Sequence, residues 1–323
     1  MKKLILIFLF LLSLTSCEDK TKQVSNVQAS SYIVIEQSNN KILEGNNYDT
    51  QRSVASISKI MTAIVTIENI DTNKKVIVPS EINKVYGSSI YLKVNQEISI
   101  LDLLYGLMLR SGNDAAITLA ISVSGSIDKF VCLMNDKATE LNLKNTYFSN
   151  PHGLDEQDNG NVSTAYDMAI IYSYCMQNEV FKNIVSSKKY GQYENKNRLV
   201  KSYEHCTGGK TGFTKIARRT LVTSASKDNI NLIIVTLNCG NDFETHRNLY
   251  EHYFNNYVSI KVLDKGMNTL FDKTIIVNKD YYFVTDLNNL NLKYYINLEK
   301  KYVEATLLDE NNRIVDYLKV LLD

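Results

Sequence analysis

Proline is almost missing from this chain, with two among 323 residues. Asn, Lys, Ile and Tyr are abundant, a bias we read as the base composition of the source genome and not as a structural message. An excess of charge is missing too. Thirty-six basic residues meet thirty-five acidic ones for a net charge of +1, so nothing argues for nucleic acid as a partner. The four histidines, at positions 152, 205, 246 and 252, lack the spacing of metal ligands. No metal and no other cofactor is expected. The five cysteines contain no Cys-x-x-Cys pair. Cys132 and Cys175 lie in helical apolar patterns, Cys239 ends an apolar strand, and Cys206 precedes a glycine-rich motif. Free buried thiols are the favoured reading, and a disulfide stays open for an exported chain. The apolar run Leu4 to Leu14, broken only by Ser13, is too short to span a bilayer comfortably.

That run has another use. Lys2 and Lys3 precede it, and Leu14-Thr15-Ser16-Cys17 ends it. A basic start and a short apolar core fit a signal peptide. The ending resembles a bacterial lipobox, which implies lipidation of Cys17 and an anchor at the outer face of the cytoplasmic membrane. Ordinary cleavage and an uncleaved anchor are the alternatives, and each of them exports the protein. The length suggests two domains. Hydrophobic content of 44% and charged content of 22% are ordinary for a globular protein. The expected division is a signal peptide over 1–17, a polar linker over 18–30, a large mixed domain over 31–257 and a small β-rich domain over 258–323.

Tyr32 to Glu36 and Lys41 to Glu44 flank Ser38-Asn39-Asn40 and read as a hairpin. Lys74 to Val78 reads as a short strand. Leu101 to Leu109, Ala115 to Val123, Asp128 to Leu141, Thr164 to Cys175 and Thr245 to Phe254 read as helices, with Ser163 as N-cap of the fourth. Leu199 to Tyr203, Thr220 to Ala225 and Leu232 to Asn238 look like strands. Beyond Tyr257 the texture changes to short alternating apolar runs: Ile260 to Leu263, Thr274 to Val277, Tyr281 to Val284 and Val303 to Leu307. These predict a small all-β domain.

The chain is organised around Ser53 to Val65. At its centre is Ser56-Ile57-Ser58-Lys59, and Ile57, Ile60, Met61, Ile64 and Val65 recur at helical spacing. This predicts an amphipathic helix to about Glu68, with Ser56 in its first turn. Residues three apart share a helix face, so the Lys59 amine can reach the Ser56 hydroxyl. A serine hydroxyl is a poor nucleophile until a base takes its proton. A lysine amine can do so when burial and nearby cations lower its pKa. Free N–H groups at the helix start lie where negative charge can develop. The bland reading of the tetrad alone is an N-cap serine beside a solvated lysine.

Two motifs downstream change that balance: Ser111-Gly112-Asn113 and Lys210-Thr211-Gly212. Ser-x-x-Lys, Ser-x-Asn and Lys-Thr-Gly in this order resemble the penicillin-recognising serine enzymes. The likeness is to the low-molecular-weight D-alanyl-D-alanine carboxypeptidases. It is carried further by Met108 to Ala116, by Asn150-Pro151-His152-Gly153-Leu154, by Ser163 to Asp167 and by Gly208 to Thr214. It covers roughly residues 30 to 257.

The resemblance implies an α/β (α+β) β-lactamase/DD-peptidase-like domain, a sheet flanked by helices, followed by the small all-β domain. It implies peptidoglycan stem peptides as substrate and β-lactam antibiotics as covalent ligands. Ser56 would be the nucleophile and Lys59 its base. Ser111 would relay a proton to the leaving nitrogen, and the Asn113 amide would hold Lys59 and the substrate backbone. Lys210 would help keep Lys59 neutral and, with Thr211, attract the terminal carboxylate. Gly212 would let the strand edge approach the peptide. The backbone N–H groups of Ser56 and Phe213 would stabilise the oxyanion. Arg247 stands where the family often has an arginine near the substrate carboxylate. His152 reads as a structural loop residue.

Two positions depart from the family pattern: Val54, where proline is usual, and Arg218, where glycine is common. The C-terminal amphipathic helix of many relatives is not recognisable either. A class A β-lactamase is the nearest rival, but the loop motif with its water-activating glutamate is not found. The intact motif triplet argues against a non-catalytic wall binder.

Overall fold

Ser31 to Glu36 are buried without a break, as in a strand covered on both faces. In the computed structural model, which describes residues 27–155, 160–270, 273–286, 293–299, 302–308 and 313–322, this segment is an interior strand of a five-stranded sheet. The strands are β1 (Ala29–Glu36), β2 (Lys41–Asn46), β3 (Cys206–Thr214), β4 (Arg218–Lys227) and β5 (Ile230–Cys239). Their order is β2-β1-β5-β4-β3, so β3 is an edge. It pairs antiparallel with β4, Lys210 opposite Val222 and Gly212 opposite Thr220.

The helices are α1 (Lys59–Asn69), α2 (Ile100–Tyr105), α3 (Asn113–Ser124), α4 (Ile127–Glu140), α5 (Ala165–Cys175), α6 (Glu179–Ser186), α7 (Leu199–Ser202) and α8 (Asp242–Asn256). Ile33 and Ile35 of β1, Val222 of β4 and Ile233 and Val235 of β5 share one core with α1, α3 and α5. The expected amphipathic helix is in fact central, with every α1 residue from Lys59 to Thr66 buried. Its polar positions tolerate this because Thr62 donates to the Pro151 carbonyl at 2.7 Å and Thr66 to the Thr62 carbonyl at 2.8 Å. Ile60, Met61, Ile64 and Val65 each contribute about 1.5–3 kcal/mol by burial.

Several expectations change. Ser56 sits in a 3₁₀ turn, Ala55–Ser58, that leads into α1. Leu199 to Tyr203 is not a strand: Leu199–Ser202 forms the short α7, and the Asn197 carboxamide oxygen accepts from the Leu199 N–H at 3.1 Å. The stretch around Lys210 is itself strand β3. Thr164 and not Ser163 caps α5, accepting from the Asp167 N–H at 2.9 Å, while Ser163 pairs with Arg52 in a two-residue ladder. The Leu101–Leu109 helix splits into α2 and a π-helical turn, Gly106–Arg110. Cys132, Cys175, Cys206 and Cys239 are free thiols, and Cys132 is exposed.

Among the described residues the chain forms two compact units. The first runs to Ser226 and resumes over Asn231–Leu249. The second takes Lys227–Ile230 and the chain from Tyr250 on. This second unit is rich in strands: β6 (Tyr257–Leu263), β7 (Gly266–Leu270), β8 (Lys273–Val277), β9 (Tyr281–Asp286), β10 (Lys293–Glu299), β11 (Tyr302–Leu308) and β12 (Ile314–Leu321). Phe283, Val303, Leu307, Leu318 and Val320 lie in its own core.

Thr223 of β4 and Thr236 of β5 each follow a residue of the main core by one position, so they face the other side of the sheet. There α8 brings His246, fully buried, between them. Its Nδ1 lies 2.7 Å from the Thr223 hydroxyl and its Nε2 lies 3.0 Å from that of Thr236. Burial pushes the imidazole down from 6.5 to about 3. A histidine depressed in the folded state stabilises above its unfolded pKa, and that stability is lost as pH falls from 6.5 toward 3. Unfolding by urea at pH 7 and pH 5 will show a loss of about 2 kcal/mol from this residue. His246→Gln will flatten that part of the pH dependence.

Candidate active site

The site is assembled where the Ser56 turn, the N-terminus of α3, the loop Asn150–Leu154 and the β3 edge meet. The turn is tight. Ala55 adopts a left-handed φ of +49°, and Ser58 donates to the Ala55 carbonyl at 2.8 Å. Gly153, at φ +80°, lies on that same carbonyl, and a Cβ there would fall 2.2 Å from it. No other residue fits. Gly212 plays the matching part on the strand. A Cβ would meet the Thr220 hydroxyl at 2.3 Å and the Ser56 backbone nitrogen at 3.0 Å. The glycine thus brings the β3 edge against the serine turn.

Lys59 is wholly buried. Its Nζ lies 3.0 Å from Ser56 Oγ and 2.8 Å from Asn113 Oδ1, and it also bonds the His152 carbonyl. Asn161 and Asn150 aim that carbonyl. Asn161 Oδ1 accepts from the Asn150 N–H at 3.1 Å, and Asn150 Oδ1 accepts from the Gly153 N–H at 2.7 Å. Burial holds the Lys59 amine well below the usual lysine range, with Lys210 and then Lys196 adding to the effect. Asp114 pulls weakly the other way. The His152 ring is pushed down to about 3, by burial and then by Lys59, and its Nδ1 accepts from the Leu154 N–H at 3.2 Å. The sequence reading makes it a structural loop residue.

Ser111 closes the π-helical turn in a left-handed conformation, φ +64°, ψ +34°. Its hydroxyl is buried and has no hydrogen-bond partner. It makes no bond to Lys59 in this state. Asn113 turns its Nδ2 to the Tyr86 carbonyl at 2.6 Å, and only its oxygen faces Lys59. Lys210 is buried and donates to the Thr211 carbonyl at 2.7 Å. Burial and Lys196 bring it down to about 7.

A cleft of about 310 Å³ opens above these groups, lined by Ser56, Ser111, Thr211, Gly212 and Phe213. Ser88, Lys196, Arg198, Arg219, Asp242 and Phe243 also line it, and the sequence reading missed them. Arg219 is held by Asp242, Nη2 at 2.6 Å and Nε at 3.1 Å, and lies over the Phe243 ring. Arg198 lies over the same ring. Arg247 does not line the cleft. Its Nη2 donates to the Ser202 carbonyl and hydroxyl, both at 3.0 Å, and its guanidinium covers Tyr203. Arg247 is one helical turn beyond Phe243, and that turn carries it away to α7. Among the described residues no cluster of His, Cys, Asp and Glu could hold a metal ion. Cys17 lies outside the described residues.

A sheet edge laid against a half-buried serine bonded to a buried lysine, with Ser-Gly-Asn and Lys-Thr-Gly converging on them, defines the penicillin-binding class of serine enzymes. Solved structures agree. The chain is similar to penicillin-binding protein 5 of Haemophilus influenzae, with TM-score 0.79 and 26% identity over 92% of this chain and 97% of that one. The family model described as D-alanyl-D-alanine carboxypeptidase, peptidase S11, matches residues 18–241, and the chain belongs to that family. The carboxypeptidase DacF of Bacillus subtilis is 38% identical over 64% of this chain and 57% of its own length. DacC of Escherichia coli is 34% identical over 73% of this chain and 63% of its own. The matched stretches therefore span less than two thirds of these two relatives.

Proposed function

We propose that this protein is a serine-type D-Ala-D-Ala carboxypeptidase, which removes the terminal D-alanine from peptidoglycan stem peptides and is acylated by penicillin. The observation that carries this reading is the bonding of Lys59. A neutral amine has two N–H donors and one lone pair. Asn113 Oδ1 and the His152 carbonyl accept the two N–H groups, which leaves the lone pair for the Ser56 hydroxyl at 3.0 Å. Ser56 attacks the carbonyl between the two D-alanines, and its proton passes to Lys59. The tetrahedral oxyanion accepts from the backbone N–H groups of Ser56 and Phe213. As the C–N bond breaks, the proton reaches the leaving amine by way of the Ser111 hydroxyl. Water then hydrolyses the Ser56 ester, with Lys59 again as base.

The peptide lies along the open edge of β3, as an added strand. Its terminal carboxylate meets the Thr211 hydroxyl and the charge of Lys210. Arg198 and Arg219, which line the cleft, take the part that the family resemblance suggested for Arg247. Losing a hydrogen bond to a charged group costs about 1.5–3 kcal/mol, roughly ten- to a hundredfold in rate. A peptide ending in D-Ala-D-Ala will lose one alanine, and its C-terminal amide will react slower by that factor. Lys210→Gln and Arg219→Gln will slow the free acid and narrow the gap. Equal cleavage of acid and amide by the wild-type enzyme rejects carboxylate recognition.

The protein is further proposed to act outside the cytoplasm, tethered to the outer face of the cytoplasmic membrane. Support comes from the sequence: Lys2, Lys3, the apolar run to Leu14 and the Leu-Thr-Ser ending before Cys17. Among the described residues no single helix is long and apolar enough to cross a membrane. One acyl chain binds weakly, so a stable anchor at Cys17 needs two or more. Cys17→Ser will leave the protein soluble or as an unprocessed precursor in fractionated cells. Normally processed, membrane-bound Cys17→Ser protein rejects the anchor.

A further inference from the structure

Asp114 is the second residue of α3 and lies buried beside the site, yet no step of the chemistry uses it. Its carboxylate gathers a short segment of chain. Oδ2 accepts from the Ser89 hydroxyl at 2.6 Å and from the Leu92 N–H at 3.1 Å. Oδ1 accepts from the Ile90 N–H at 3.0 Å and from its neighbour Ala115 at 2.9 Å. The segment so fastened returns bonds to the site from its other end. The Tyr86 carbonyl accepts Asn113 Nδ2 at 2.6 Å, and the Ser88 carbonyl accepts the Asn113 backbone N–H at 2.7 Å. The Ser88 hydroxyl accepts Lys196 Nζ at 3.1 Å.

These bonds decide which way the Asn113 amide points. A carboxamide has a donor end and an acceptor end of nearly the same shape. With the Tyr86 carbonyl on one side, the NH₂ must face it, and the oxygen is left for Lys59. A reversed amide would present donors to an amine that needs an acceptor there. The Lys59 lone pair would then have no fixed aim at Ser56.

We propose that Asp114 is a positioning residue for acylation: it fastens residues 86–92, and that segment fixes the amide of Asn113 that aims Lys59 at Ser56. The proposal rests on the serine–lysine reading above. It extends that reading to a carboxylate that touches neither the substrate nor the reacting atoms. Asp114 also contributes charge. The charges that act on Lys59 are those of Lys210 on β3, Lys196 ahead of α7 and, of opposite sign, Asp114, and the His152 ring lies close enough to feel Lys59. Arg110 in turn acts on Lys196.

The test is the rate of acylation by penicillin as a function of pH, in wild type, Asp114→Asn and Ser89→Ala. Wild-type acylation at Ser56 is the control for the underlying reading, and its absence would sink that reading first. A misaimed catalytic group costs on the order of ten- to a hundredfold. Asp114→Asn will acylate slower by that range, and its acid limb will move to lower pH because a negative charge near Lys59 is gone. Ser89→Ala keeps the charge and loses one bond. It will acylate more slowly with its acid limb in place. An Asp114→Asn enzyme that is slower but keeps the wild-type acid limb marks a merely structural carboxylate and overturns the proposal. Wild-type rates in both variants overturn it too. If Asp114→Asn fails to fold, Ser89→Ala decides alone, and an unchanged rate rejects the proposal.

Discussion

The structure depends on burying one amine. Lys59 lies with no exposed surface in the first turn of a helix that is itself buried to Thr66. A charged ammonium there would cost several kcal/mol after relaxation. The fold lowers that cost by favouring the neutral amine and giving it two carbonyl-type acceptors. Burial is the largest cause of the lowered pKa, and Lys210 and Lys196 add to it. A neutral amine with both N–H groups accepted is a base with a fixed direction. That direction is toward Ser56.

Much of the surrounding backbone follows from this constraint. The His152 carbonyl reaches Lys59 only because the Asn150–Leu154 loop folds back on Ala55. That fold needs Gly153 at φ +80°. Ala55 and Ser111 both take left-handed conformations that non-glycine residues enter rarely, each next to or within a motif. Such conformations cost of order 1–3 kcal/mol each and persist where the surroundings over-determine them. Here the surroundings are the Asn150–Asn161 network and the Asp114-fastened segment. Arg218 is a third case, φ +59°, at a position where the family resemblance predicts glycine. It starts β4 opposite Thr214, so this chain accepts strain where β3 turns into β4.

What the sequence disclosed depended on contiguity. Ser56 and Lys59 fall within one turn, Ser111 and Asn113 within three residues, Lys210 to Gly212 side by side. Each cluster announces its chemistry locally. The central strands were legible because Ile33, Ile35, Val222 and Ile233 sit in runs of apolar and β-branched residues. Lys196, Arg198 and Arg219 were not legible. None of them belongs to a recognisable motif, and only the approach of α7 and β4 to the β3 edge makes each part of a cleft. Phe243 and Arg247 show the same limit within one helix. Both belong to α8, and one turn separates the residue that lines the cleft from the residue that binds α7. Asp114 was visible inside its motif, but its partners are Ser89, Ile90 and Leu92, more than twenty residues away. The short α7 was misread because a five-residue segment does not separate a strand from a helical turn.

The central claim is that a neutral Lys59 activates Ser56. The most direct measurement combines the site of penicillin attachment with its pH dependence. The protein is reacted with penicillin at a series of pH values, the adduct is mapped by mass spectrometry, and Lys59→Arg is carried through the same series. The account predicts a single adduct on Ser56, formed faster as pH rises along a limb that is absent from Lys59→Arg, since arginine does not give up its proton. An adduct on Ser58, or an acid limb that survives in Lys59→Arg, would contradict it.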